Sequence, residues 1–444
     1  MSDDPERALA RFAVGVDLRD LPASVRDRVG LVVADTVGAV VGGTRLPEVA
    51  DLAARLDEDG DASVLGTGHA AAPGPAALVN GTAGTSLELD EGHRYAGGHP
   101  AIHALPAALA AGEAADGEPA DWLAGFVAGY EVGTRVARAC APLDPTYHMH
   151  GLWGAVGATA AVARTRGLSL DRTAAALRMA PNHALHTRFE AATEGATVRN
   201  TYAGTSNLSG HLVATQAEAG FSGLRNATER HLARVVDGPF DADALTADLG
   251  ERWEVERGYF KRHAACRFTH PALDAVTALA ARHDLDPASV AAVRVETYDT
   301  AARLTPTRPA NPLQAKFSIP FAVATALRRG HTRMEAFDAD ALDEATFELA
   351  ERVSVTEHEE FTARAPDRRG ARVTVVADGS EHAETVEQAR GGTENPFDEA
   401  DLREKFDALV APTLGDEGAA TLWRAAREPA STPPRRLGAL ATPD

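Results

Sequence analysis

The chain has 444 residues, enough for about two or three domains, and its 64 acidic and 44 basic residues give it a formal net charge of −20. This charge, with no block of basic residues, argues against nucleic acid or an anionic membrane as a partner. The two cysteines make no disulfide framework and the acidic N-terminus has no secretory signal, so we expect a cytoplasmic location.

Arginine takes the place of lysine along nearly the whole chain. Of the 44 basic residues, 41 are arginine, and the three lysines are Lys261, Lys316 and Lys405. An acidic, lysine-poor composition is typical of proteins that work in concentrated salt, because excess charge keeps them soluble when screening is strong. We therefore expect a halophilic setting, while a GC-rich genome would produce the same bias towards arginine and alanine.

The first half of the chain predicts helix after helix. Apolar segments rich in glycine and alanine, which favour close packing against neighbouring helices, lie at 21–43, 103–115, 121–141 and 151–168. The most apolar run, 29–43, is interrupted by Asp35 and is too short to cross a bilayer.

The pattern changes near residue 270. A helix there is followed by a strand pattern at 289–299, a helix at 314–330, a hairpin at 371–387 and a helix at 395–414. We predict a mainly α protein with four parts: a large all-helical domain (1–259), a smaller α+β lid domain (260–392), a C-terminal return to the helical domain (393–430) and a disordered tail (431–444).

Nine of the sixteen histidines fall in four short stretches. The first stretch places Glu88, Asp90, Glu91 and His93 ahead of a glycine-containing loop that ends at His99. Carboxylates beside imidazoles serve as proton-transfer pairs, and the same residue types suit a metal ion. A solvated acidic loop, with His99 at the start of a helix, is the third interpretation that the spacing allows.

The next two stretches are polar segments beside helices. His148 and His150 lie two residues apart, so they share a side if the backbone is extended, but one buried and one exposed ring fit the pattern equally. Arg199 and Tyr202 belong to a polar run that leads into a helix. Arginine and helix N–H groups there suit carboxylate or phosphate oxygens, unless the run is an ordinary arginine-rich loop.

The fourth stretch, GYFKRHAACRFTH, spans residues 258–270 and contains one of the three lysines, Lys261. Lysine is a compact charge whose pKa moves readily on burial, whereas arginine stays charged, so a lysine retained here indicates a role that arginine cannot fill. Cys266 in the same stretch is either a nucleophile activated by positive charge or a small buried side chain.

Five segments, in order along nearly the whole chain, together resemble the MmgE/PrpD family. They are NGTAGTSLELDEGHRYAGGHPAIHALPAALA, YHMHGLWGAVGATAAVARTRGLS, VRNTYAGTSNLSG, KRHAACRFTHPALDA and AKFSIPFAVATAL. The family includes 2-methylcitrate dehydratase, cis-aconitate decarboxylase and epimerases of dicarboxylic acids. The resemblance implies a helical domain with an α+β lid, an active site between them, a homodimer and no cofactor.

The resemblance also assigns roles to individual residues. Those implied to be catalytic are His99, His148, Lys261, Asp90 and Glu88. Arg199, Cys266 and His270 also match family positions. We expect six residues to bind the substrate, and none to bind a metal: His93, Arg199, Tyr202, Cys266, Arg267 and His270. The chain departs from the family pattern at Gly92, where threonine is common, and in the 261–270 segment, so the resemblance leaves the substrate open.

We therefore predict a cofactor-independent lyase that acts on a small di- or tricarboxylate, with no nucleic-acid or membrane partner. The leading hypothesis is a hydro-lyase similar to 2-methylcitrate dehydratase of propionate metabolism, in which His99 and His148 exchange protons and Lys261 stabilises the carboxylate. Four alternatives stay open: a cis-aconitate-type decarboxylase, an epimerase of a substituted succinate, a metallohydrolase built on Glu88, Asp90, His93 and His148, and a non-catalytic tricarboxylate-binding protein.

Overall fold

The computed structural model describes residues 4–443, so residues 1–3 and 444, at the ends of the predicted first domain and tail, lie outside the described residues. Its helices are α1 (Pro5–Gly15), α2 (Ala23–Gly43), α3 (Pro47–Arg55), α4 (Pro73–Ser86), α5 (Pro100–Ala114), α6 (Pro119–Ala139), α7 (Met149–Leu152), α8 (Gly154–Thr165), α9 (Leu170–Met179), α10 (Glu190–Thr193), α11 (Tyr202–Glu218), α12 (Ala242–Thr246), α13 (His270–His283), α14 (Asp299–Ala302), α15 (Pro312–Lys316), α16 (Ile319–Arg329), α17 (Glu344–Ala350), α18 (Glu359–Arg364), α19 (Glu399–Arg427) and α20 (Pro434–Leu440). The predicted mainly α fold class is confirmed.

Proline begins many of these helices, because the first helical position has no N–H partner to lose. Pro73 begins α4, Pro119 begins α6, and Pro100 begins α5, which makes His99 the residue that precedes its first turn. The helices predicted from apolar patterning are present, but two of them are divided. Trp153 separates α7 from α8, and a Phe317–Ser318 step separates α15 from α16.

Small residues hold α4 close to the helices around it. A Cβ atom added at Gly43 of α2 would lie 1.9 Å from the carbonyl oxygen of Ala83, and one added at Gly81 would lie 2.9 Å from Cα of Gly204 in α11. Such contacts leave no room for a larger side chain at either glycine. The end of α4 at Ser86 is therefore fixed, and with it the acidic segment that follows.

β1 (Ala62–Ser63) pairs with β2 (Ala70–Ala71) in a small separate sheet. The larger sheet contains β3 (Val290–Thr297), β4 (Val353–Glu357), β5 (Ala371–Ala377) and β6 (Ser380–Val386). Its strand order is β4–β3–β5–β6. β3 runs parallel to β4 and antiparallel to β5, and the predicted hairpin turns at Asp378 and Gly379, both with positive φ. All four strands fall within 260–392, while the domain boundaries themselves stay a prediction.

The C-terminal part of the chain returns to α2. A Cβ atom at Gly38 would lie 2.9 Å from the ring of Phe406, so α19 packs directly on α2, and α19 is interrupted at Gly415, where φ is 69°. The disordered tail predicted from residue 431 is replaced, up to residue 443, by a turn and helix α20 packed on the protein. Leu437 is fully buried there, and Thr432 accepts a hydrogen bond from the indole of Trp122 at 3.2 Å.

The proline-rich composition of that tail was a misleading signal. Pro434 occupies the first turn of α20, where proline is tolerated, and it does not keep the segment unfolded. Among residues 4–443, no single helix is long and apolar enough to cross a bilayer; α2 and α3 pass that test only as a pair bent by 90°.

Candidate active site

The acidic segment after α4 pairs with the segment that leads into the predicted lid. Gly92 donates to the carbonyl oxygen of Tyr259 at 3.0 Å, and Tyr259 donates back to Gly92 at 2.7 Å. Glu88 adopts a left-handed φ of 57°, which costs a non-glycine residue about 1–2 kcal/mol and therefore has to be held by its surroundings. This pairing brings Lys261 to the side of Glu88.

Two cations and two carboxylates form a buried cluster at this junction. The Nζ of Lys261 lies 2.9 Å from Oε2 of Glu88 and 3.6 Å from Oδ1 of Asp90. The guanidinium of Arg199 pairs with the other carboxylate oxygen of Glu88 and donates to Thr85. All four charged side chains are at most 1% exposed.

Burial and charge act in opposite directions on these groups. Burial alone would raise the pKa of Glu88, but Arg199 and Lys261 outweigh it and lower that pKa, whereas burial dominates at Asp90 and raises its pKa to about 6. Burial works to lower the pKa of Lys261, but Glu88 and Asp90 raise it above its ordinary value. Lys261 is thus a permanent cation, so the shiftable pKa expected for it is not what the structure gives.

The hydrogen bonds of His99 fix its tautomer. Its Nδ1 lies 2.7 Å from the carbonyl oxygen of Glu91 and 3.3 Å from Oδ2 of Asp90. A carbonyl oxygen only accepts, so Nδ1 carries the proton and Nε2 carries the lone pair. Burial, with a further effect of Lys261, lowers the pKa of His99 to about 3, which keeps the ring neutral.

His148 has the opposite tautomer. It precedes α7, and its Nδ1 accepts a hydrogen bond from the backbone N–H of His150 at 3.1 Å. The neutral ring therefore carries its proton on Nε2. Burial, followed by the charge of Arg199, holds the pKa of His148 well below the ordinary value. The two catalytic candidates thus present one proton acceptor and one proton donor.

Two further histidines that the sequence hypothesis did not assign belong to this group: His150 contacts the rings of both His99 and His148, and His103 contacts His150. The ring centroid of His150 lies 4.9 Å from that of His99, 5.4 Å from that of His148 and 4.7 Å from that of His103. Thr85 links His150 to the ion cluster, with Oγ1 3.1 Å from Nε2 of the ring. His103 was detectable in the sequence, since it follows His99 by one helical turn.

Three of the predicted substrate-binding residues have partners elsewhere. His93 pairs with Glu254 at 3.3 Å, and His270 lies against Arg267 and the carbonyl oxygen of Ala265. Arg267 donates to the carbonyl oxygens of residues 389 and 390, both at 2.8 Å. These contacts join parts of the fold to each other, and a role of these three side chains in substrate binding stays a prediction.

The remaining predicted residues, Cys266 and Tyr202, lie closer to the cluster. Burial raises the pKa of the Cys266 thiol to about 12, which argues against a nucleophilic thiolate at neutral pH and favours a small buried side chain. The ring of Tyr202 lies 6.2 Å from that of His148, edge to face. Of the six predicted binding residues, Arg199 is the one that belongs to the cluster itself, through its ion pair with Glu88.

All three lysines of the chain contact the same five residues, 86–90. Besides Lys261, Lys316 donates to the carbonyl oxygen of Ser86 at 3.1 Å. Lys405 donates to the carbonyl oxygen of Leu89 and to Asp35, both at 2.5 Å. In a chain that otherwise uses arginine, lysine is retained where a compact ammonium reaches this segment.

The predicted metal set is divided between two places. His93, with its Glu254 partner, stands apart from Glu88, whose two oxygens already pair with Lys261 and Arg199. Within residues 4–443, no group of three or more His, Cys, Asp or Glu side chains is arranged to hold a metal ion. The arrangement favours proton transfer between neutral imidazoles beside buried cations.

Comparison with known families agrees with this organisation. Residues 7–242 match the model of the MmgE/PrpD N-terminal domain, and residues 263–428 match that of the MmgE/PrpD C-terminal domain. The chain belongs to the MmgE/PrpD family. The Lys261–Glu88 contact of this family member therefore joins a residue matched by the N-terminal model to one in the short segment between the two matched regions.

Two fungal proteins are similar to this MmgE/PrpD family member over most of its length. The cis-aconitate decarboxylase-like protein oryM of Aspergillus oryzae is 25% identical over 434 residues, which cover 90% of this chain and 89% of that protein. The cis-aconitate decarboxylase of Aspergillus terreus is 24% identical over 442 residues, which cover 92% and 89%. This likeness supports an enzyme of the lyase type.

Proposed function

We propose that the protein is a lyase that acts on a small di- or tricarboxylate and moves a proton at a carbon next to a carboxylate. The observation that carries this proposal is the pair of opposite tautomers: His99 with a free lone pair on Nε2 and His148 with a proton on Nε2. Elimination of water needs both a proton acceptor and a proton donor, and this pair supplies them without a change in ring charge beforehand.

His99 is the proton acceptor in this mechanism. When its Nε2 takes a proton from the substrate carbon, the ring becomes an imidazolium, and Asp90 at 3.3 Å from Nδ1 stabilises the new charge. His148 donates its Nε2 proton to the hydroxyl that leaves as water; the positive charge of Arg199 stabilises the anionic ring this produces, and the proton taken by His99 restores it after the product leaves. Because both rings are buried and neutral at the start, the two transfers occur in surroundings with few competing water molecules.

The buried cations stabilise the negative charge that develops on the substrate. Removing a proton next to a carboxylate leaves enolate-like charge on its oxygens, and fixed ammonium and guanidinium groups lower the energy of that state. Lys261 and Arg199 lie side by side on the two oxygens of Glu88 and supply these charges. A substrate carboxylate suits this pair of buried donors, although Glu88 and Asp90 balance their formal charge.

Dehydration is the first candidate reaction, and a specific observation keeps decarboxylation as the second. Both similar fungal proteins carry a cis-aconitate decarboxylase name. Loss of CO₂ from a polycarboxylate leaves the same kind of carbanion and needs a proton donor and cations, but no base. The presence of the acceptor His99, supported by Asp90, favours dehydration over decarboxylation.

A substrate panel separates these reactions. The protein is assayed in molar KCl with EDTA against 2-methylcitrate, citrate, cis-aconitate and stereoisomers of substituted succinates, following alkene absorbance, CO₂ release and exchange of carbon-bound hydrogen with D₂O. We expect alkene formation without CO₂ from a hydroxylated tricarboxylate. CO₂ release would assign a decarboxylase, and exchange of carbon-bound hydrogen without alkene or CO₂ would assign an epimerase. The absence of all three signals with every compound would count against a lyase.

A further inference from the structure

Lys316 is the one lysine whose ammonium has no carboxylate partner among residues 4–443. Lys261 pairs with Glu88 and Asp90, and Lys405 pairs with Asp35, but Lys316 has its hydrogen bond with the carbonyl oxygen of Ser86. The side chain lies at the end of α15 and is 6% exposed. An ammonium has three N–H donors, so two remain for a ligand.

Burial disfavours the charged form of this ammonium. It lowers the pKa of Lys316 to about 8; Glu88 and Asp338 oppose this effect, and Arg199 and Lys261 add to it. A buried charge of this kind is stabilised when an anion enters and pairs with it. The hydrogen bond of Lys316 to Ser86, two residues before Glu88, places it next to the reaction cluster.

A cavity of about 470 Å³ opens beside Lys316. Its wall includes Ser86 and Asn200. Asn200 is only 6% exposed, and its side-chain oxygen has no hydrogen-bond partner in the described part of the chain. Buried amides are nearly always paired, so this one indicates a missing partner. A carboxylate on Lys316, with a neighbouring hydroxyl that donates to the side-chain oxygen of Asn200, satisfies both side chains.

We propose that this cavity is a carboxylate subsite, in which Lys316 and Asn200 bind the end of the substrate that is remote from the reacting carbon. This inference rests on the proposed function, because the lyase activity is the reason to assign the bound carboxylate to the substrate and not to a separate effector. It also explains the charge of the site. Lys261 and Arg199 are paired with Glu88 and Asp90, so Lys316, which forms no ion pair among the described residues, is the cation available to a substrate carboxylate, although Glu48 and Asp338 on the same cavity wall reduce its field.

Kinetics of matched variants test this role. Lys316→Met removes one charge-assisted hydrogen bond to the substrate, so we expect KM to rise about tenfold to hundredfold with a smaller change in kcat. Arg45→Met removes an exposed cation from the rim of the same cavity and is expected to change KM less than about twofold, because exposed charges are screened. Equal effects of the two variants would contradict a specific site at Lys316.

Nitrogen NMR gives a direct readout that does not require turnover. Protein labelled with ¹⁵N-lysine contains three Nζ groups, which single Lys→Arg variants assign. We expect citrate or cis-aconitate to shift the Lys316 signal more than the Lys405 signal, and an equal ionic strength of KCl to leave it in place. The same titration on the Asn200→Asp variant is expected to show a weaker response, because its carboxylate pairs with Lys316 internally.

The two readouts separate this inference from the proposed function. Turnover with an unmoved Lys316 signal at saturating substrate would overturn the subsite and leave the lyase standing. A shifted signal without turnover of any compound supports the carboxylate subsite and counts against the lyase. A shift by a carboxylate that is not turned over and does not compete with the substrate in initial-rate kinetics would assign the cavity to a separate carboxylate and would overturn its role in substrate binding.

Discussion

The Nζ of Lys261 lies 2.9 Å from Oε2 of Glu88, although the two residues are 173 positions apart in the chain. Both side chains are buried, and Arg199 shares the same carboxylate. Removing one partner of such a cluster leaves a buried charge without compensation, which costs about 3–5 kcal/mol. The pair therefore fixes the position of the 258–270 segment against the acidic segment, and with it the geometry in which the substrate is held.

Lys261→Arg is expected to lower kcat about a hundredfold or more. Lys261 is a permanent cation, so the loss does not come from a shiftable pKa; it comes from space, because a planar guanidinium does not fit between Glu88 at 2.9 Å and Asp90 at 3.6 Å. A displacement of about 1 Å in a catalytic site costs about this factor. Steady-state kinetics on the best substrate of the panel measure it.

Lys405→Arg is the matched control for that variant. Lys405 binds Leu89 and Asp35 from α19 and retains more exposure than Lys261, so a larger cation is accommodated there with a loss we expect to be below about tenfold. Circular dichroism and thermal unfolding show whether each variant is folded. Full activity in a folded Lys261→Arg protein would mean that charge alone suffices at this position.

Sequence patterning was sufficient for the architecture because apolar periodicity and helix-start signals are local. The proline before α5, the small residues of α4 and the alternation of β3 are each readable within about ten residues. The tail was not readable in this way, since distant residues hold it: Trp122 binds Thr432 in the turn before α20, and Gly438 of α20 packs closely against Ser63 and Glu113. The homodimer, the salt adaptation and the absence of a cofactor stay predictions.

The site was predictable as a set of residues but not as an arrangement. Sequence segments pointed to Glu88, Asp90, His99 and Lys261, which the structure brings together. They did not point to a role for Lys316, because that role depends on the ammonium having no carboxylate within ion-pair distance among the described residues, which only the structure shows. Tautomers also depend on single backbone groups, such as the carbonyl oxygen that accepts from His99, and no spacing rule reveals them.

The pH dependence of kcat/KM tests the role of Asp90. Burial raises the pKa of this carboxyl to about 6, so it becomes protonated about two units above the pH at which an exposed aspartate does. The ionised form supports His99 as a base, and we therefore expect kcat/KM to fall as the pH drops through about 6. Asp90→Asn is expected to lower kcat/KM at pH 7.5 and to remove its decrease near pH 6, the acidic limb of the profile.

Glu113→Gln is the control for that profile. Glu113 is also buried with a raised pKa, of about 7, but it binds Ser63 and does not touch the cluster. Its replacement is expected to leave the limb near pH 6 in place. If Asp90→Asn keeps the limb, a different group controls it and the assigned support of His99 by Asp90 is wrong.

The stability contributed by two buried glutamates is expected to fall as the pH rises from about 5 to 8, while the buried histidines, with lowered pKa values such as the value of about 3 for His99, act in the opposite direction below about pH 6.5. Burial raises the pKa of Glu91 to about 8 and that of Glu131 to about 7, so the folded chain holds protons that the unfolded chain releases near its ordinary pKa of 4.5. At these two groups the unfolded state binds fewer protons, so their contribution to the free energy of unfolding decreases with pH across this window. Denaturant unfolding at pH 5, 6, 7 and 8 measures it.

Glu91→Gln separates this effect from other titrations. The amide mimics the protonated carboxyl and keeps an acceptor for the hydroxyl of Tyr130, which lies 2.6 Å from Oε1 of Glu91. We expect the variant to lose part of the pH dependence above pH 6 while unfolding normally near pH 5. A slope identical to that of the unmodified protein would show that Glu91 is ionised in the folded state at neutral pH.

Leu437→Ala tests whether the tail is part of the folded core. Leu437 of α20 is fully buried, so truncating it is expected to lower the free energy of unfolding by about 2–5 kcal/mol, as for other buried leucines. Arg436→Ala, on the exposed side of the same helix, is expected to cost less than about 0.5 kcal/mol. Denaturant unfolding in molar KCl measures both, and equal small costs would mean that α20 is detached in solution.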